Sequence, residues 1–561
     1  MSKFFTPVLS YARTFHPAGL VGALIFFTWS LTPSLLPRMW YFQALATAIS
    51  IAIGYGVGIL VLKILGWAGV NWQPSLRIRR AGWAALSMAA LIIIPAFGFL
   101  GAQWQRESRE LIGVETEAKS LYILVVLLAI LLSLGLIALG RGIGQLSTRL
   151  TNWGSKHVPR PVSRLGSVTL LLVIGILFAN GALPTLLIRA LESSQLSTNA
   201  ETREGIIQPV NEPLRSGSND STQDWDTLGR DGRTFVASGP RAADITKVTG
   251  QNAIDPIRVY AGRQSADTIE GIADHVVAEL HRTKAFNRST LAVVTTTGRG
   301  WVNTAGAESL EYITAGDSAI AAMQYSYLQS PLAFMADRET PLEAGIVLLD
   351  KVQEVIINLP EQQRPRLVVM GESLGGYGAQ GAAGSKTNLI ESLDGALIIG
   401  NPHFSQPWQR ITADRDIDSL ERLPVIDGGE NIRFAARGSD LELPGMWEAP
   451  RFVYWQHASD PIVWWNFDLI WHRPDWLTED LGPDVNPHMR WLPIVTFWQV
   501  TADMALSAGV PPGFGHAYGS DAVDMWAAIL DQPDWTEELS NRVRAILDEP
   551  NTELDPLGTY H

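Results

Sequence analysis

The 561-residue chain contains no cysteine, which excludes disulfides, thiolate nucleophiles, zinc–cysteine sites and lipid attachment through a cysteine. Any domain it places outside the cytoplasm must therefore be held by its core alone, and about 300 residues suffice for that. Acidic residues are nearly missing from the first third: residues 1–190 hold 4 Asp and Glu against 16 Lys and Arg, net +12. Residues 191–561 reverse the balance, with 52 against 27, net −25. So acidic a C-terminal part excludes a nucleic-acid partner, whose phosphates need basic grooves; its plain meaning is solubility. No internal repeat, low-complexity tract, metal site or organic cofactor site is indicated.

What is present in excess is apolar sequence. Hydrophobic residues make up 47% and charged residues 18%, and five runs reach the ~20 residues needed to cross about 30 Å of hydrocarbon: 17–37, 41–65, 81–102, 120–140 and 165–188. The first is no cleavable signal, since another run follows at once. None carries an ionisable residue near its centre, which argues against a transport path. Pro33, Pro95 and Pro184 are of a kind tolerated in membrane helices. Lys and Arg concentrate before the first run (Lys3, Arg13), after the second (Lys63, Arg77, Arg79, Arg80) and after the fourth (Arg141, Arg149, Lys156, Arg160, Arg164). The loop after the first run has only Arg38, and the loop after the third dilutes Arg106, Arg109 and Lys119 with four glutamates. By the positive-inside rule the N-terminus is cytoplasmic and the chain beyond 190 lies outside, in a multi-pass plasma-membrane protein. The expected organisation is a transmembrane helical domain over 1–190, an exposed polar connector over 191–240 with the option of docking on the domain that follows, and a catalytic domain over 241–561.

Beyond Ile257, strand-like and helix-like stretches alternate, as in an α/β domain with a mostly parallel sheet. IRVYAG (257–262), LAVVTTTG (291–298), AIAAMQYSYL (319–328), RLVVM (366–370), GALIIG (395–400) and RFVYW (451–455) read as strands. SADTIEGIADHVVAEL (265–280) and LEAGIVLLDKVQEVIINL (342–359) carry apolar residues at helical spacing.

RLVVM runs into Gly371-Glu372-Ser373-Leu374-Gly375-Gly376, a G-x-S-x-G pattern. Such a serine sits on a sharp strand-to-helix turn, where only glycine avoids the neighbouring backbone. The small residues Gly376–Gly384 then suit a helix packed closely on a sheet. A serine hydroxyl needs a base, and on this kind of sheet the order is Ser, acid, His. Asp460 lies in the loop leaving RFVYW, and His516 lies in the glycine-rich PPGFGHAYG before the helix-like DAVDMWAAIL (521–530). His516 is expected to take the Ser373 proton and Asp460 to fix the imidazole. Asp503 and Asp521 are weaker candidates for the acid because neither follows a strand; His457 and His403 are weaker candidates for the base because they precede or accompany the acid. For the oxyanion, one donor is the Leu374 N–H and the second comes from Thr297–Trp301, Gly298 or Arg299. Arg299 is alternatively an anion-binding side chain. The tryptophans between 408 and 498, among them Trp464, Trp465, Trp471 and Trp476, read first as core, with an acyl pocket or a membrane interface as alternatives.

At these residues the sequence resembles membrane-anchored bacterial α/β-hydrolases, largely actinobacterial, that join a multi-span N-terminal domain to a hydrolase domain. The resemblance runs through WDTLGRDGRTFV (225–236), TTTGRGWVN (295–303), QYSYLQSPLAF (324–334), GESLGGYG (371–378), RPDWL (473–477), RWLPIVTFWQVTADM (490–504) and PPGFGHAYG. It implies an α/β-hydrolase fold with Ser373 as nucleophile. Related proteins often have a second histidine where this chain has Phe514, so that position is not an essential base here. The expected function is an extracytoplasmic esterase or lipase acting on an acylated envelope lipid, its partners being that acyl ester and the membrane. An acyltransferase on the same triad and a non-catalytic lipid-handling protein are the alternatives.

Overall fold

The computed structural model describes residues 14–70, 75–177, 198–327 and 338–549. The chain divides into two compact units, and the division does not follow the sequence in one cut. The first holds Met1–Ala182 together with Phe467–Leu477 and Val485–Leu506; the second holds Leu183–Asn466, Thr478–Asp484 and Ser507–His561.

The first unit is built on helices α1 (Pro17–Ser30), α2 (Trp40–Trp67), α3 (Leu76–Leu111), α4 (Leu121–Gly154) and α5 (Arg160–Leu177). α2, α3 and α4 are each long and apolar enough to cross a membrane. At 1.5 Å per residue even α2 extends about 42 Å. The apolar run 17–37 is helical only as far as Ser30; Pro33 and Pro37 lack the N–H that a continuing helix needs. Pro95 sits inside α3, which continues through it, while Pro184 and the rest of 178–188, the end of the run 165–188, lie outside the described residues, as do Lys3 and Arg13. α1 and α2 approach backbone to backbone: a Cβ on Gly22 would lie 2.2 Å from the Gly54 carbonyl oxygen, and one on Gly58 2.2 Å from that of Ala18. Such small-residue contacts replace hydrophobic driving force where the surroundings are themselves apolar.

Two segments of the stretch 241–561, Phe467–Leu477 and Val485–Leu506, pack within this unit. A helix over Val495–Met504 (α12) turns polar residues into the N-terminal helices. Gln499 Nε2 donates to the Thr32 carbonyl at 2.9 Å, and Asn486 Nδ2 donates to Ser108 Oγ at 3.0 Å. Trp471 is 56% exposed, whereas Trp464 and Trp476 are buried as core residues.

The second unit carries a sheet of strands β1 (Ile257–Ala261), β2 (Thr290–Thr295), β3 (Ser318–Met323), β4 (Arg366–Glu372), β5 (Gly395–Ile399), β6 (Ile432–Ala435) and β7 (Arg451–Trp455) in the order β1-β3-β2-β4-β5-β7-β6. Every pairing is parallel. The strands are buried almost end to end, as expected of a sheet covered on both faces, and so read as continuous apolar runs. The helices that position the site are α6 (Gly229–Ala237), α7 (Ile269–Arg282), α8 (Thr304–Ile313), α9 (Glu339–Ile357), α10 (Leu374–Ala383), α11 (Pro461–Trp464) and, beyond α12, α13 (Ala522–Leu530). Strand β4, which leads to Ser373, is central, with β2 on one side and β5 on the other.

Residues 198–240, the described part of the connector, pack into this unit. α6 buries Asp231, Arg233, Phe235 and Val236. Arg203 pairs with Asp231 at 2.7 Å, both nearly inaccessible. Arg258 on β1 accepts a backbone bond from Ser216 and donates one to Leu214, so this stretch shields a sheet edge that would otherwise template further pairing. Its arginines are satisfied internally: Arg215 Nη1 donates to the carbonyls of Val236 at 2.8 Å and Ser238 at 2.5 Å. Residues 191–197 lie outside the described ones.

Candidate active site

β4 ends at Glu372 and α10 begins at Leu374, leaving Ser373 alone in the turn with φ 57° and ψ −121°. Such a backbone is costly for a residue with a Cβ and persists only when its surroundings enforce it. The glycines on either side show the enforcement. A Cβ on Gly371 would lie 2.2 Å from the Gly375 carbonyl oxygen, and one on Gly375 2.2 Å from that of Thr295. The Ser373 N–H donates to the Ile399 carbonyl at 2.9 Å, tying the turn to the end of β5.

Asp460 follows β7 and caps α11, its Oδ1 accepting the Ile462 N–H at 2.8 Å. Its Oδ2 faces His516 Nδ1 at 2.7 Å, so the imidazole carries its proton on Nδ1 when neutral and leaves Nε2 as the basic atom. Nε2 is buried and has no hydrogen-bond partner among the described residues. The ring lies over Gly400, where a Cβ would come within 2.7 Å of His516 Cε1. Gly400 directly follows Ile399, the residue that holds the Ser373 N–H, so one strand end gathers Ser373 and His516.

The loop after β2 is pinned through its carbonyls. Tyr260 Oη donates to the Gly300 carbonyl and Gln324 Nε2 to that of Arg299, both at 2.7 Å. The Gly298 and Leu374 N–H groups donate to no described group, which leaves both open to an oxyanion. The Arg299 guanidinium pairs with Asp231 at 2.8 Å and is thereby committed inside the protein.

The weaker candidates stand elsewhere. Asp503 belongs to the first unit, where it pairs with Arg38. Asp521 faces Arg544 at 3.6 Å, and His403 Nδ1 lies 3.4 Å from Gln409 Nε2. His457 is close but oriented differently: its Nδ1 lies 2.9 Å from the Gly515 carbonyl, and its ring stacks on Tyr518 with centroids 4.3 Å apart. Burial holds its pKa below the ordinary value despite that bond and nearby carboxylates, so it braces the histidine loop as a neutral ring.

Three further residues complete the site. Tyr518 Oη donates to Asp460 Oδ2 at 2.8 Å, sharing the oxygen that faces His516. Glu372 Oε2 accepts from Asn303 Nδ2 at 2.5 Å, and that nitrogen also donates to the Tyr518 carbonyl at 3.3 Å. Burial pushes the Glu372 carboxyl up to about 7, with the His516 charge and the Asn303 hydrogen bond pulling down and Asp460 pushing up. Burial also penalises the His516 imidazolium. The Asp460 carboxylate, by charge and hydrogen bond, and the Glu372 charge outweigh this, so the His516 pKa stands above the ordinary value. The local signals were there: a glutamate inside the G-x-S-x-G pattern, an asparagine ending TTTGRGWVN and a tyrosine two residues after the histidine.

A model described as an alpha/beta-hydrolase family matches residues 257–543, and one described as that family's N-terminus matches residues 31–240. No curated protein and no solved structure matches the chain. The family match supports a hydrolase-like function.

Proposed function

Because this chain belongs to the alpha/beta-hydrolase family, we propose that it is a membrane-anchored serine hydrolase that cleaves an ester through an acyl-enzyme, with Ser373, Asp460 and His516 as its triad. The observation that carries the reading is the 2.7 Å contact between Asp460 Oδ2 and His516 Nδ1 at the strand end that also holds the strained turn of Ser373. In the reaction, Ser373 Oγ attacks the ester carbonyl carbon while its proton passes to His516 Nε2. The charge that develops on the carbonyl oxygen falls to the Leu374 and Gly298 N–H groups. Collapse expels the alcohol, which takes the proton from His516; water then repeats the sequence and releases the acid. Asp460 keeps the imidazole in the productive tautomer and stabilises its cation.

The substrate is an acylated lipid of the cell envelope. Three apolar helices favour a substrate that lives in or on a membrane, and the loops rich in Lys and Arg favour a cytoplasmic N-terminus with the catalytic unit outside. A fluorophosphonate probe applied to the full-length protein tests the reading: labelling that vanishes in Ser373→Ala supports it, and an intact wild type that stays unlabelled sinks it. Lipid profiling of cells lacking the protein identifies the ester, and product analysis with an added sugar or protein hydroxyl separates hydrolysis from acyl transfer.

A further inference from the structure

The triad leaves one buried ionisable group of the site without a task. Glu372, wedged between Gly371 and Ser373, is 8% exposed, and its carboxyl receives the Asn303 Nδ2 hydrogen bond at 2.5 Å. Asn303 spends its other capacity on two further parts of the site: Nδ2 on the Tyr518 carbonyl, and Oδ1 on the Gly306 N–H at 2.7 Å, capping α8. One amide thus ties the helix after the β2 loop, the nucleophile turn and the histidine loop together. Among the described residues no Lys or Arg pairs with Glu372. The cation acting on it is therefore the one His516 becomes during the reaction. The charged and titratable groups facing Glu372 are His516 and Asp460; those facing His516 are Asp460, Glu372 and Tyr518, with His457 stacked behind Tyr518.

We propose that Glu372 is a positioning residue of this site, a second carboxyl held by Asn303 whose negative charge, together with that of Asp460, stabilises the His516 imidazolium formed as Ser373 is acylated. The inference rests on the triad reading and deepens it. A neighbouring anion in a buried site favours the protonated imidazole and is little screened by water. Its carboxyl, pushed up to about 7 by burial, carries that charge increasingly above this pH, so Glu372 and His516 titrate in one range and the acid limb reports the pair.

The test is the rate of fluorophosphonate labelling of the full-length protein in detergent as a function of pH. Removing the anion lowers the His516 pKa, so in Glu372→Gln the acid limb should move to lower pH by about half a unit or more, and the plateau rate should fall several-fold. Glu372→Asp, which restores the charge, should return the limb toward the wild-type position. Asn303→Ala removes the donor that stabilises the carboxylate, drives Glu372 toward its neutral form and should shift the limb in the same direction as Glu372→Gln; it serves should Glu372→Gln fail to fold. A limb that stays in place in either folded variant overturns the proposal, since a merely structural role changes the amount of active protein and not its titration. Failure of the wild type to label at all overturns the triad reading instead, and the two failures are therefore distinct.

Discussion

Arg38 and Asp503, 465 positions apart in sequence, meet at 2.7 Å with both side chains wholly buried. Asp503 Oδ2 also accepts the Leu35 N–H at 3.1 Å, and Arg38 Nη1 donates to Gln43 Oε1 at 2.8 Å, so the pair is hydrogen-bonded on both sides. A segment from the C-terminal half of the chain is thus built into the N-terminal helical unit by a charge pair.

Removing one partner leaves the other charged and buried, which typically costs about 3–5 kcal/mol, whereas replacing both with apolar residues of similar size is often neutral. Arg38→Met should therefore lower the unfolding midpoint of the detergent-solubilised protein markedly, and Arg38→Met with Asp503→Leu should recover most of the loss. A double variant as unstable as the single one would show that the pair is held by the surrounding hydrogen bonds rather than by its charges.

The parts of this molecule legible in sequence were those whose meaning is local. β1 to β5 and β7 are apolar runs bounded by turn residues, and Ser373 and His516 lie in glycine-rich loops. β6 escaped because its four residues include Arg433, which looks like a surface residue but is buried with Nε on the Gly429 carbonyl and Nη1 on that of Leu441. Arg203 and Arg215, within 198–240, carry the same disguise. Glu372 and Asn303 escaped for another reason: their bond joins residues 69 apart, and Asn303 reaches Tyr518 across 215 positions, distances at which no spacing rule operates.

Asp460→Asn keeps an acceptor for the Ile462 N–H but removes the charge and can present an N–H to His516 Nδ1, inverting the tautomer. The expected loss in kcat is about 10⁴-fold, measured with a short-chain ester. Tyr518→Phe keeps the ring stacked on His457 and deletes the hydroxyl, which donates to Asp460 Oδ2 and accepts the His457 N–H at 3.3 Å, so its cost should be far smaller, about 1 kcal/mol and so roughly tenfold or less in kcat/KM. Equal losses in the two variants would place Tyr518 in the chemistry rather than behind it.

The acid limb of wild-type activity follows from the same contacts. His516 must be neutral to act as base, and Asp460 and Glu372 hold its pKa above the ordinary value of about 6.5. Activity should therefore be complete at pH values above that raised pKa and fall as pH drops through it, at a midpoint above 6.5. In Asp460→Asn the residual activity should persist to lower pH, because one of the two anions that favour the imidazolium is gone. Rates measured across pH 5–9 at constant ionic strength check both statements.

The absence of cysteine makes the proposed orientation directly measurable, since a single introduced thiol is the only one to react. Lys156 follows α4 and Asp534 follows α13, and both are exposed. With a cytoplasmic N-terminus and an external catalytic unit, a membrane-impermeant maleimide on intact cells should label Asp534→Cys and spare Lys156→Cys until the cells are opened. The reverse pattern would place the catalytic unit in the cytoplasm, and with it the substrate, because the acidic surface of residues 191–561 would then face cytoplasmic lipids and metabolites rather than the envelope. Labelling of both positions before lysis would show that the chain between Lys156 and Asp534 does not cross the membrane, and the run 165–188 would then not be a span.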